Sequence, residues 1–255
     1  TACATAIPRC WWRVEMLLTT RAVVLRTVKH TDGRVVLRAY TERLGLRSCL
    51  VRTGSRNASR PAALQPLARV EIVLPDLGET GLRTARDLRV DRPYVRAPHD
   101  PLRGVLLLFA QEVFNKTLHE EAPDEELFAF VQDTLEDIDA GGDPAHQPLR
   151  LLVGLMKHLG FFPEAPKEGA SRFDLRDGVF FRGPSPHGFC MEPDPAALFA
   201  VLIERSEGDA SSQEPLRSRS DVRRRLLDDL LTYYRLHVEG FGELRSPDVL
   251  RAVLE

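Results

Sequence analysis

The stretch from residue 21 to residue 60, RAVVLRTVKHTDGRVVLRAYTERLGLRSCLVRTGSRNASR, sets the tightest limit on what this chain can become. Val, Leu and Tyr stand beside charged residues at every second or third position. That spacing puts one side of an extended strand against a core and the other in water. Strands are therefore expected at 21–28, 34–41, 46–52, 68–75 and 82–90. Asp32-Gly33 reads as the tight primed turn of a hairpin, glycine accepting the positive φ such turns need, and Leu44-Gly45 as a second turn. Five short strands, with a longer connection between the third and fourth, suit a small closed barrel of the OB type. A five-stranded SH3-like barrel has the same outline.

After Pro98 the period changes. Residues 102, 105, 106, 109, 113, 114 and 118 are apolar, which is helical spacing broad enough for a mostly buried helix over 101–119. A second helix is expected over 123–139, with acidic residues at its start, a stripe of Phe128, Val131, Leu135 and Ile138, and Gly141-Gly142 at its end. A third runs over 147–159, stopped by Gly160 and Pro163. A compact hairpin follows, 173–175 with 179–181 across Arg176-Asp177-Gly178, and then a loop over 183–193. Helices are expected at 195–204 and 221–237, the latter capped by Ser220 or Asp221, and at 247–254. The fold expected is thus α+β and multi-domain. A five-stranded OB-fold β-barrel over 16–95 precedes an α-helical bundle over 96–255, with a small hairpin-containing, metal-free lobe at about 163–193. Residues 1–15 lack the basic start and apolar centre of a signal peptide. They are expected to be a disordered extension upstream of Met16, the alternative being an extra strand or a partner segment using Trp11 and Trp12.

Charge supplies the first functional suggestion. Residues 16–95 hold 15 Lys+Arg against 7 Asp+Glu, so +8, and the chain as a whole carries −2, which leaves −10 for the remainder. A half-buried sheet with guanidinium groups on its open side suits a polyanion. The candidates for nucleic-acid contact are Arg26, Lys29, Arg34, Arg38, Arg47, Arg52, Arg56 and Arg60, the last two on a polar connection that has no acidic residue to oppose them. Tyr40 could stack a base, but a core tyrosine is the favoured reading. Arginines 217, 219, 223, 224 and 225 are a second possible path or simply a solvated helix start.

Other chemistries find little support. Cys3, Cys10, Cys49 and Cys190 show no CxxC spacing, which argues against a disulfide framework and for a reducing, cytoplasmic setting. His187 and Cys190 would supply two of the four ligands a structural zinc wants, too few for a metal to be expected. There is no phosphate loop and no GxSxG elbow, and His119-Glu120-Glu121 lacks the second histidine of a zincin. Asp228-Asp229 are adjacent on a helix, face different ways and read as solvated. No apolar run reaches the roughly 18 residues of a spanning helix. No catalytic residue and no cofactor is expected.

Two segments carry a resemblance. One is the ending YYRLHVEGFGELRS over 233–246, followed by Val249-Leu250 and Val253-Leu254. The other is the start TRAVVLRT over 20–27, continued by Tyr40-Thr41-Glu42 and Gly45-Leu46. Together with AALQPL (62–67), LGFFP (159–163) and FDLRDGVF (173–180), in matching order, they resemble the RecO family of bacterial recombination mediators and DNA repair proteins. The resemblance covers about 16–254 and itself implies an N-terminal OB fold with a helical domain behind it. Many relatives carry two CxxC pairs that bind zinc after the helical bundle. Here 163–193 contains Cys190 alone, so zinc is not carried over, and Phe173, Val179, Phe180 and Phe181 would have to pack the lobe.

The resemblance further implies a non-catalytic, nucleoid-associated protein. Such a protein binds single- and double-stranded DNA, anneals strands, binds the C-terminal tail of single-stranded DNA-binding protein, and works with RecR to load RecA. Only the general position of Arg34 and Arg38 is supported by the family pattern. The tail is acidic and ends in an aromatic residue, so its receptor needs an apolar pocket with a cationic rim. Leu155 with Leu152, Met156 and Leu159, beside Arg150, Lys157 and Lys116, is the candidate, although core packing explains the leucines equally well. The reading from a different class is an OB-fold RNA-binding or ribosome-associated adaptor, and an enzyme with an unrecognised site in the helical half is a third.

Overall fold

The structure is a computed structural model and describes residues 16–53, 61–75, 82–119, 122–141, 143–185, 187–207 and 218–254. The expectations for residues 1–15, Arg56, Arg60 and Arg217 lie outside the described residues.

Six strands form the N-terminal sheet: β1 (Leu17–Thr31), β2 (Arg34–Thr41), β3 (Gly45–Arg52), β4 (Arg69–Pro75), β5 (Arg83–Thr84) and β6 (Asp87–Arg92), in the order β5-β3-β2-β1-β4-β6. β1 is long enough to pair antiparallel with β4 along its first half and with β2 along its second. Breaks of register near Arg26 and His30 bend it between the two partners. The single strand expected at 82–90 is two. β5 pairs parallel with β3, Ala85 N–H donates to Leu50 O, Arg86 N–H donates to Val73 O, and β6 pairs with β4. One segment thereby ties both edges of the sheet, which curls it as an OB fold requires.

The Asp32-Gly33 turn departs from expectation. Gly33 has φ 77°, but the one described non-glycine residue with positive φ is Leu67, so Asp32 does not take the primed conformation. The break of register between Lys29 and Thr31 absorbs the difference.

Residues 22–25 are all fully buried, although alternation alone would expose half of them. Ala22 and Val24 join Leu37, Ala39, Cys49, Val51, Val70, Ile72 and Leu88 inside the barrel. Val23 and Leu25, with Tyr40, belong instead to the core of the helical half. β1 is therefore covered on both faces over this stretch.

The helices are α1 (Pro101–Thr117), α2 (Glu125–Ala140), α3 (Gln147–Leu159), α4 (Pro193–Glu207), α5 (Ser220–His237) and α6 (Ser246–Leu254). Asp100 caps α1 by accepting from Leu102 N–H and Arg103 N–H, and Asp124 caps α2 by accepting from Leu127 N–H. α3 ends on Gly160 in the left-handed region. α5 corrects one expectation: its cap position is Arg219, which makes no capping hydrogen bond, while Ser220 and Asp221 lie inside the helix. The small lobe has three strands, β7 (Arg172–Asp174), β8 (Val179–Phe181) and β9 (Cys190–Met191), in the order β8-β7-β9. β9 falls where a loop was expected. A pair of residues carries no readable period. Phe173 packs edge-on to Phe180, Phe199 and Tyr233, so the lobe shares the helical core rather than building its own.

A polar joint holds barrel to helices. Asp139 near the end of α2 accepts the N–H groups of Val95, Arg96 and Ala97. Arg69 of β4 is almost completely buried; it pairs with Glu136, donates to Arg92 O at 3.2 Å and lies 4.6 Å over the Tyr94 ring.

Candidate nucleic-acid interface

Strand register decides which of the arginines can act together. Opposite residues of an antiparallel pair share a face, and residues two apart on one strand do too. Arg26 lies opposite Arg38, which lies opposite Ser48, and Arg34 lies opposite Arg52. Between these two cationic rows runs an apolar one, Val28 opposite Val36 opposite Leu50. The inward residues of β2 are Leu37 and Ala39, so Arg34, Val36, Arg38 and Tyr40 are on the outer face. Helices cover this face at Tyr40, which is fully buried with its ring 6.1 Å from that of Phe128. Tyr40 is a core residue in this structure. Toward Arg34 the face emerges into solvent, and where it emerges Arg38 reaches the carbonyl of Leu118 just beyond α1.

Four of the eight predicted contacts, Arg26, Arg34, Arg38 and Arg52, thus share one face. Lys29 stands at the hairpin tip, 3.6 Å from Asp32, on the phase opposite to Arg26. Arg47 lies opposite Ala39, on the inward phase of Cys49 and Val51, and donates to Leu46 O. The apolar row is the part that charge counting missed. Val28 is 44% exposed although it sits mid-strand, and its signal in the sequence is a β-branched residue standing between cations. Val36 and Leu50 beside it are half-buried. Guanidinium rows neutralise phosphates without reading bases, and a partly exposed apolar row between them gives a base face something to lie on.

The residues predicted for a partner tail do not converge. Leu155 is fully buried in the helical core, as are Leu152 and Met156, so none of them floors a surface pocket. Core packing accounts for these leucines because α3 is enclosed by α1, α2, α4 and α5. Lys116 donates to Phe241 O at 2.5 Å, Lys157 donates to Ser206 O and lies 5.0 Å over the Phe162 ring, and Arg150 is exposed. An apolar cavity with a cationic rim exists elsewhere, where α3, α5 and α6 meet. It encloses about 260 Å³ between Pro148, Leu149, Leu227 and Leu250, with Arg223, Arg224 and Arg251 around it. Two of the second group of arginines singled out in the sequence, Arg223 and Arg224, are on this rim. Arg223 donates to Ser218 O, and Arg251 pairs with Asp228 and Asp248.

Of the adjacent acids expected to be solvated, Asp228 is exposed but Asp229 is not. Burial, with the charges of Asp228 and Glu192 against a smaller opposing effect of Arg225, pushes its carboxyl up to about 7. No helix among the described residues is long and apolar enough to cross a membrane.

Comparison with known proteins gives a consistent result along the chain. The family described as Recombination protein O N terminal matches residues 16–94, and that described as Recombination protein O C terminal matches residues 98–247. The DNA repair protein RecO of Flavobacterium psychrophilum is 27% identical over 241 residues, 93% of this chain and 99% of its own length. The DNA repair protein RecO of Bacteroides fragilis is 29% identical over 245 residues, 94% of this chain and all of its own. That of Porphyromonas gingivalis is 27% identical over 250 residues.

Proposed function

The chain belongs to the RecO family of DNA repair and recombination proteins, and from that premise we propose that it is a non-catalytic, DNA-binding recombination mediator. It binds single- and double-stranded DNA across the outer face of β1, β2 and β3, promotes annealing, and with RecR helps load RecA onto strands coated by single-stranded DNA-binding protein. The observation that carries this reading is the pair of cationic rows, Arg26–Arg38 and Arg34–Arg52, flanking the apolar row Val28–Val36–Leu50 on a face that emerges from the helices. Annealing asks for neutralised phosphates and loosely held bases, and this face offers charge and apolar contact without a fixed array of base-edge donors. The tail of the single-stranded DNA-binding protein docks in the cavity among α3, α5 and α6, its aromatic end against Leu149, Leu227 and Leu250 and its acidic residues toward Arg223 and Arg224.

Binding of a labelled oligonucleotide across a salt series tests the DNA face. Arg34→Glu with Arg52→Glu lowers affinity and reduces the salt slope by about 1 for each phosphate no longer neutralised. Strand annealing falls with it while the thermal midpoint holds, since Arg34 and Arg52 are exposed. A slope equal to that of the parent protein moves the DNA path elsewhere.

A further inference from the structure

We propose that Asp174, His187 and Cys190 form a three-donor site for a single borderline-soft divalent cation, Zn²⁺. The strand β9, invisible in the sequence, builds it. Asp174 of β7 and Cys190 of β9 are directly opposite in an antiparallel pair, so their side chains leave the sheet as neighbours. His187 precedes Cys190 by three residues on the connection into β9, giving a His-x-x-Cys pair that meets a cross-strand carboxylate. The donor atoms of the three residues all lie within 4.8 Å of one another. His187 Nε2 is 3.2 Å from Asp174 Oδ2, and Cys190 Sγ is 3.6 Å from His187 Nδ1. Ligand atoms on a tetrahedral zinc, at bonds of about 2.0–2.3 Å, are themselves about 3.3–3.6 Å apart. The two short distances use opposite nitrogens of the one ring, and Nδ1 also accepts Phe189 N–H, so an ion gathers the three donors from within 4.8 Å by a turn of the ring or the thiol that directs one imidazole nitrogen and the sulfur to a common centre.

The supports are already in place. Asp174 Oδ1 accepts Arg176 N–H and Asp177 N–H, which fixes the carboxylate and leaves Oδ2 for the site. Leu175 N–H donates to Phe189 O, tying the His-x-x-Cys connection to the segment after β7. Asp174 is buried, whereas His187 and Cys190 are half-buried, so one side remains open for water as a fourth ligand. A thiolate, an imidazole and a carboxylate together select zinc-like ions over magnesium or calcium. Binding expels the thiol proton, and affinity therefore falls as pH is lowered. This donor set is not the four-cysteine arrangement of the zinc-binding relatives: only one donor is a cysteine, and the carboxylate comes from a strand facing it.

Titration of the reduced, full-length protein with Co²⁺ tests the site. The expected result is a thiolate-to-cobalt charge-transfer band that saturates at one ion per chain, bleaches when Zn²⁺ is added, and is absent from Cys190→Ser. Asp174→Asn weakens Zn²⁺ binding by about 10–100-fold or more. Cys190→Ser is expected to melt like the parent without metal, which separates loss of the site from loss of the fold. The absence of a charge-transfer band, or a band that survives Cys190→Ser and so comes from Cys3, Cys10 or Cys49, overturns the proposal.

Discussion

At the scale of single residues, burial changes what a side chain does more than its identity suggests. Asp228 and Asp229 are chemically the same and adjacent, yet one is solvated and pairs with Arg251, while the other is half-buried in the field of Glu192. A carboxyl raised in the folded state to about 7 from an ordinary value near 3.8 binds a proton that the unfolded chain has released. Its contribution is therefore present in full below pH ~4 and is lost as pH rises through about 7. Asp229→Asn should match the parent in acid and exceed it by roughly 1–2 kcal/mol at pH 8, the partial exposure of the site reducing the full linkage value. Urea unfolding midpoints measured against pH check this; a parent whose stability does not decline between pH 5 and 8 contradicts it.

At the scale of elements, local signals fixed the helices well and the short strands poorly. α3 occupies 147–159, residue for residue as its period and its terminal glycine indicate, and Asp124 caps α2 beside the acidic start that marked it. What the period cannot show is how tightly neighbouring elements approach. Gly154 is in the middle of α3, where glycine costs about 1 kcal/mol against alanine in an isolated helix. Here it lets α2 close in: a Cβ on Gly154 would come within 2.5 Å of the Phe130 ring. Gly154→Ala should therefore destabilise by about 1–3 kcal/mol despite its better helix propensity, through overpacking of α2 against α3. Chemical denaturation measures it, and a gain in stability would mean that Phe130 swings away freely.

At the scale of the molecule, the joint between barrel and helices holds the sheet in place. Its polar part is Asp139. Burial pushes this carboxyl up, but N–H donation from Val95, Arg96 and Ala97 outweighs it, with help from Arg69, and leaves the group below its ordinary value. For a depressed carboxyl the contribution is complete above the unfolded value near pH ~4 and is lost as pH falls through the folded one. Asp139→Ala orphans three backbone donors and should cost about 3 kcal/mol at pH 7, a difference that narrows in acid, where the neutral carboxyl still accepts but no longer as an anion. Hydrogen exchange of residues 95–97 should rise with it; unchanged protection there would assign the joint to Arg69 and the apolar core alone.

Fold class and family were written in the residues. Alternating charge over 21–60 specifies half-buried strands, helical periods after Pro98 specify the helices, and the ordered segments ending in YYRLHVEGFGELRS carry the family. These are properties of nearest neighbours along the chain. Tertiary structure decided the rest, because it depends on which residues meet across space. Register put Arg26, Arg34, Arg38 and Arg52 on one face, sent Arg47 to the other, and left Val28 exposed and Val36 half-buried between the cations. Enclosure of α3 made Leu155 core instead of pocket, and the closing segment split the last strand so that it could serve both edges of the sheet. The pairing of β7 with β9 set Asp174 against Cys190, sixteen positions away along the chain. A strand of two residues has no period of its own; it exists because its neighbour offers unpaired backbone groups.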